Sequence, residues 1–251
     1  MELGLYYGAN VCLGLSFVGA LWQYQEAHAK KLASVLLALA MFFLSVGLIY
    51  RALSYHRVPM ASLFEFCLML VLFVGVMTLV FGQSFKDKGS FLAISSGLLS
   101  VGLFLALQLE ARPISLLPAL QSPWFFSHIF SALIAYLAFS LSFFFALAFL
   151  LKKEERYFTF LEQSVYVGFF MQTLLLVTGS LWALDTWGRF WAWDPKEVWA
   201  LLTYFCYGSF IHFSLIKWKK THLAYLAIIS FLVLLFTLVG VSLGLSGLHA
   251  Y

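Results

Sequence analysis

Eight stretches of about twenty residues in this chain are apolar enough to cross some 30 Å of hydrocarbon. They fall at roughly 3–22, 32–50, 61–81, 90–109, 125–150, 160–183, 199–216 and 223–244. Of the 251 residues, 63% are hydrophobic and 10% charged, so little is left over for a soluble domain, a long linker or a low-complexity tract. The expected fold class is all-α: a polytopic integral membrane helix bundle of about eight transmembrane helices. A single transmembrane domain is expected to occupy residues 1–251. No basic region precedes the first stretch, which reads as a span rather than a cleaved signal peptide.

The basic residues give the orientation. Lys30 and Lys31, Lys86 and Lys88, Lys152, Lys153 and Arg156, and Lys217, Lys219 and Lys220 occupy alternate loops; they are ten of the fifteen Lys and Arg. Arg51, Arg57, Arg112, Arg189 and Lys196 occupy the other side. Cytoplasmic loops carry the excess of Lys and Arg, so both termini are expected outside. The net charge of +4 then reports topology, and no nucleic-acid partner is expected.

Several activities are excluded or left without support. Cys12, Cys67 and Cys206 lie within apolar spans at unpaired spacings and read as small core residues. No Cys-x-x-Cys-His occurs, so the chain is not a c-type cytochrome, and neither a phosphate-cradling loop nor a metalloprotease motif is present.

Five of the eight tryptophans crowd into LWALDTWGRFWAWDPKEVWALL, between Trp182 and Trp199. Ordinary membrane proteins place Trp singly at interfaces, with the ring apolar and the N–H wet. This tract, with Gly188, Arg189, Asp194, Pro195, Lys196 and Glu197 among its rings, is expected to form an external aromatic surface with polar handles. Such a surface suits a large, planar, partly charged ligand. Residues 182–198 are expected to be partly helical and to lie parallel to the membrane.

The histidines sort by depth. His28 and His222 adjoin the cytoplasmic lysines and read as solvated loop residues. His128 opens the fifth span, 24 residues before Lys152, or about 36 Å of helix. His249 lies 29 residues after Lys220 and emerges on the same side as His128 and the tryptophans. Two readings stand for this pair: interfacial imidazoles, or axial ligands of a haem iron. His212 lies 13 residues beyond Trp199, about 20 Å down the seventh span. It is either a neutral core histidine or a metal ligand; no other histidine of the chain reaches that depth, so a second ligand would come from another polypeptide. Glu65, one to two turns inside the third span near His56, is expected to pair with Arg51 or Arg57 or to be protonated.

The string WGRFWAWDPKEVWALLTYFCYGSFIH resembles the signature of the CcsA (ResC) family, the haem-handling membrane proteins of system II cytochrome c biogenesis with their WWD motif. SPWFFSHIFSALIAY resembles the segment with the first external histidine, here His128. FTLVGVSLGLSGLHAY resembles the segment with the second, His249, and YGSFIH carries His212. Pro59 to Glu65 resembles an early P-L-S-N-L-Y-E stretch, so the resemblance covers most of residues 56–251. Ala192, Val198 and Tyr204 replace commoner Ser, Thr and Trp. His56 precedes Pro59 by three residues instead of two, so no haem role carries onto it.

The resemblance implies a membrane component of a cytochrome c synthetase, a haem lyase. It would transport haem b to the outer membrane face and position its vinyl groups for thioether attachment to the Cys-x-x-Cys-His motif of an apocytochrome c. Its setting would be a bacterial cytoplasmic or thylakoid membrane, with the active site on the periplasmic or lumenal face. His128 and His249 would bind the outer haem iron, and His212 an intramembrane haem iron together with a CcsB (ResB)-like partner. Trp187, Gly188, Arg189, Trp191, Trp193, Asp194, Lys196, Glu197 and Trp199 would line the haem site, with Trp191, Trp193 and Asp194 at the reaction. Stacking tryptophans would exclude water from one porphyrin face, Arg189 and Lys196 would neutralise propionates, and catalysis would be mainly positioning. Asp194 and Glu197 more naturally orient these bases and the backbone, because no nucleophile needs activating. Two rivals remain: an exporter that loads a haem carrier without ligation, like the CcmC proteins, and a fixed-haem cytochrome that moves electrons.

Overall fold

The computed structural model describes residues 2–22, 27–82, 85, 88–112 and 118–245; of residues 27–30 and 88 the backbone alone is described. The described residues form helices, turns and connections, without strands. Hydrocarbon offers the backbone no hydrogen-bond partners, and a helix satisfies its own groups within one segment. Eight helices are long and apolar enough to cross a membrane, and each overlaps one of the eight apolar stretches. They are α1 (Glu2–Trp22), α2 (Ala27–Tyr55), α3 (Leu63–Gly82), α4 (Lys88–Ala106), α5 (Pro123–Lys152), α6 (Glu155–Trp187), α7 (Pro195–Leu215) and α8 (Lys220–Leu235). The eighth span continues through a π turn, Phe236–Gly240, into a last helical turn, α9 (Val241–Gly244).

The chain gathers into two compact units, Met1–Ile114 and Ser115–Tyr251. In the first, α1 lies against α2 and α4, and α3 against α2 and α4. Close approach depends on small residues: a Cβ at Gly47 would sit 2.3 Å from the ring of Tyr6. The end of this unit that holds the start of α1 is closed by a buried charge cluster. Arg51, 1% exposed, donates from Nε to Glu65 Oε1, from one terminal nitrogen to Glu2 Oε1 and from the other to the Ala111 carbonyl, each at 2.8 Å. Arg57 forks onto both Glu65 oxygens at 2.7 Å, and the Ala61 N–H adds a third kind of donor at 2.9 Å. The pairing expected for Glu65 is present with both arginines at once. A fully buried carboxylate can stay charged when every lone pair is engaged in this way.

In the second unit, α5 lies against α6 and α8, while α7 lies against α6 and α8. Phe139 stacks on Tyr207 at 3.6 Å and 7°. It also abuts Gly168, where a Cβ would meet the ring at 2.4 Å. Helices α5 and α6 have 30 and 33 residues, or about 45 and 50 Å, and so overrun about 30 Å of hydrocarbon. Asp185 lowers the hydropathy of the sixth stretch, which is why its sequence boundary fell at 183. The helix nevertheless continues to Trp187 and stops at Gly188, whose φ of +73° is a left-handed cap that turns its N–H onto the Leu184 carbonyl. The Trp-rich tract is therefore divided between the end of α6, the connection 188–194 and the start of α7, and is not a single membrane-parallel segment.

Candidate haem site at the Trp-rich end

Ser122 starts α5, its hydroxyl accepting the Trp124 N–H at 3.3 Å with Pro123 next, where a missing N–H costs nothing. This cap places His128 one and a half turns into the helix, half-buried and facing α6. Contacts from α6 fix its ring. The Leu175 carbonyl lies 3.0 Å from Nδ1. Trp182 stacks beside it at 5.6 Å and 26°. Gly179 leaves the space it occupies, since a Cβ there would lie 2.8 Å from Nδ1. A carbonyl can only accept, so Nδ1 carries the proton, and in the neutral ring Nε2 keeps its lone pair. This is the tautomer a metal-binding imidazole needs.

Trp182 is itself immobilised, 2% exposed, with its indole N–H on the Ala119 carbonyl at 2.8 Å and its ring against Phe125 and Trp187. Trp187 thus joins His128 through Trp182 in one aromatic cluster. Trp191 and Trp193 form a second, edge-to-face pair at 6.0 Å. Trp199 packs on Phe236 of the π turn at 4.3 Å.

The acids of the tract serve the backbone. Asp194 is the N-cap of α7, buried, with Oδ1 accepting the Lys196 N–H at 3.0 Å. Glu197 closes the reciprocal half of a capping box. Its Oε2 accepts the N–H of Ala192 at 2.8 Å and that of Asp194 at 3.1 Å. These are the two residues flanking Trp193, whose φ of +57° is left-handed and disfavoured for any residue with a Cβ. Glu197 therefore clamps both sides of a strained residue that is 71% exposed. The local signal was the D-P-K-E spacing, which is also that of a helix N-terminus. Lys196 donates from Nζ to Ser242 Oγ at 3.0 Å, tying the start of α7 to the end of the eighth span. Thr203 and Thr237 meet at 3.0 Å about two turns further along α7, where Thr237 also reaches the Trp199 carbonyl. Arg189 is exposed in the connection, beside exposed Phe190.

His249 lies outside the described residues; the last described residue, Leu245, follows α9 close to Ser242 and so leaves at the Trp-rich end. His212 stands in the last turn of α7, exposed, with its ring 5.6 Å from that of Phe213. Among the described residues no three His, Cys, Asp or Glu side chains cluster as a bare metal ion requires. Iron already held by a porphyrin needs only axial ligands, which single histidines supply. Leu175, Gly179 and Ser242 escaped the reading of the sequence because a backbone carbonyl, an absent side chain and a serine carry no motif.

Comparison with known proteins accords with this architecture. The family profile described as "Cytochrome C assembly protein" matches residues 60–249. The "Cytochrome c biogenesis protein CcsA" of Chlamydomonas reinhardtii is 30% identical over 266 residues, 97% of this chain and 73% of that one. The protein of the same name from Parasynechococcus marenigrum is 25% identical over 291 residues, 99% and 95% of the two chains. Among solved structures, "Cytochrome c Heme Lyase CcmF" superposes with a TM-score of 0.75 over 95% of this chain, at 18% identity, a likeness of fold. This chain spans 46% of that protein's length. The chain belongs to the cytochrome c assembly protein family, alongside its CcsA members.

Proposed function

We propose that this integral membrane protein of cytochrome c maturation carries haem to its Trp-rich end and holds it there for thioether attachment to a Cys-x-x-Cys-His apocytochrome c. The observation that carries the reading is the His128 ring, proton-fixed by the Leu175 carbonyl and stacked beside a buried tryptophan. A histidine kept only as an interfacial residue has no need of a fixed tautomer or of a glycine opposite it.

Haem is the cargo, and its chemistry at this site is simple. Each substrate thiol adds across one vinyl group: a C–S bond forms, and the thiol hydrogen ends on the second vinyl carbon. No protein nucleophile is required. His128, with His249 as its partner, holds the iron. Trp191 and the exposed Trp193 cover a porphyrin face and keep water from it. Arg189 is placed in the exposed connection to meet a propionate. Lys196, bound to Ser242, ties the end of the eighth span to the start of α7. Asp194 and Glu197 hold the backbone that presents the indoles. His212, exposed on α7, ligates a second haem only with a histidine from a CcsB (ResB)-like partner chain. The Trp-rich end faces the periplasm or lumen in this reading, which rests on the distribution of lysines.

The test is covalent haem on a co-expressed Cys-x-x-Cys-His substrate, with the partner chain present. Haem-stained cytochrome that depends on His128 supports the synthetase reading. Haem released to a carrier with no thioether bond would favour the exporter instead, and haem that never leaves the chain would favour an electron-carrying cytochrome.

A further inference from the structure

At the other end of the same unit a second aromatic assembly has no place in the chemistry above. Helix α7 ends at Leu215, and the chain reverses through a left-handed Lys217 with φ of +60°. The Trp218 N–H returns to the Phe213 carbonyl at 3.0 Å and that of Lys217 to Ser214 at 2.9 Å. This closure lays the indole of Trp218 on the ring of Phe213, at 3.8 Å and 9°. His222, in the first turn of α8, stands against Trp218 at 6.3 Å and 80°. The His212 ring lies 5.6 Å from that of Phe213, at 64°. The four rings form one continuous row from His212 to His222. His212, Trp218 and His222 are exposed, Trp218 by 45%.

Cations surround the row. Lys217 and Lys219 are exposed in the turn. Lys220 is engaged by Glu155, with its ammonium over the Phe158 ring, and Glu162 is engaged by Ser214. Glu155 and Glu162 are thus engaged by partners other than Lys217 and Lys219. A membrane anchor needs one tryptophan at the interface. It does not need that tryptophan backed by a stacked phenylalanine, bracketed by two imidazoles and rimmed by lysines. Flat aromatic surface, imidazole and paired positive charge together match one ligand chemistry: a planar aromatic metal complex bearing two carboxylates. An imidazole bound to iron stands perpendicular to the porphyrin, and the 80° between His222 and Trp218 is compatible with a porphyrin lying flat on the indole.

We propose that Phe213, Trp218, His222, Lys217 and Lys219 form a receiving site for haem at the lysine-rich end, from which haem passes along the ring row to His212. The proposal rests on the reading that this chain transports haem. It assigns binding roles to Trp218 and to His222, which from sequence reads as a solvated loop residue.

The test uses the full chain with its partner chain in vesicles of phosphatidylcholine alone, titrated with hemin and followed by Soret absorbance. Trp218→Ala and His222→Ala should each weaken the initial hemin binding about tenfold, the scale of one lost ring contact or ligand. Lys217→Gln with Lys219→Gln should do the same for hemin but leave binding of hemin dimethyl ester, which lacks the carboxylates, unchanged. Lys217→Arg with Lys219→Arg should retain hemin binding, which separates lost charge from misfolding. Wild-type hemin binding in all of the weakening variants would overturn the proposal, as would a lysine dependence seen only after anionic phospholipid is added, because the cations would then serve lipid headgroups. If these variants are silent while His212→Gly and His128→Gly still lose haem, this site alone is wrong. If those two are silent as well, the transport reading falls with it.

Discussion

At the scale of single residues, the site is built from groups that hold other groups in place. Glu197 is the clearest case. A left-handed conformation costs a residue with a Cβ about 1–2 kcal/mol, and Trp193 adopts it because one carboxylate oxygen accepts the N–H on either side of it. Glu197→Ala is therefore expected to free the connection and to lower haem retention about as much as Trp193→Ala does, with the protein still folded and inserted. Glu197→Gln, which keeps an accepting oxygen, should lie between Glu197→Ala and the unsubstituted protein. Haem-to-protein ratio after purification measures both. Gly179 acts by its absence. A methyl group there would sit 2.8 Å from His128 Nδ1 and force the ring off the Leu175 carbonyl. Gly179→Ala should thus shift the haem spectrum without removing any ligand. Gly208→Ala on α7, where a Cβ would have 3.4 Å to its nearest neighbour, should leave that spectrum alone.

At the scale of elements, the eight spans were legible because burial in lipid leaves a record in composition alone, as in the run from Leu63 to Gly82. The ends of helices were less so. Hydropathy falls at Asp185, yet α6 stops only where Gly188 supplies a left-handed cap, because a helix may run on into water until something terminates it. The π turn Phe236–Gly240 left no trace either: its extra residue is absorbed where a bare Gly240 makes room for the Phe236 ring against Trp199. Of the proposed site, the clustering of the tryptophans and the place of His128 near the start of α5 follow from counting along the chain. The fixed tautomer of His128 does not, because the Leu175 carbonyl comes from a neighbouring helix whose register is set by packing around Gly168 and Gly179. Asp194 could be read as orienting nearby bases and backbone, but not as the cap of a particular helix. As the N-cap of α7 it satisfies the Lys196 N–H. Asp194→Ala is expected to cost about 1 kcal/mol of local helix stability, and Asp194→Ser or Asp194→Asn much less. Hydrogen exchange at the first turn of α7 reports this directly, and haem retention should follow the same order. Retention that collapses equally in all three would mean that the carboxylate itself touches the ligand.

At the scale of the whole molecule, the second unit is a four-helix frame with different chemistry at its two ends: tryptophans and His128 at one, lysines and His222 at the other, with His212 on α7 near the second. Transport across a membrane needs that asymmetry to be matched by sidedness. A reporter fused after Tyr251 should be active outside the cytoplasm, and cytoplasmic activity would reverse the proposed direction of haem movement. The proposed outer haem also has a requirement of its own, that iron be held by imidazole at His128. The most direct measurement is the optical spectrum of purified His128→Gly, together with its partner chain, before and after free imidazole is added. The predicted result is a loss of haem, or of its low-spin bands, on substitution, with imidazole restoring both by filling the vacated position. A variant that keeps full haem and an unchanged spectrum, with imidazole doing nothing, would contradict the central claim.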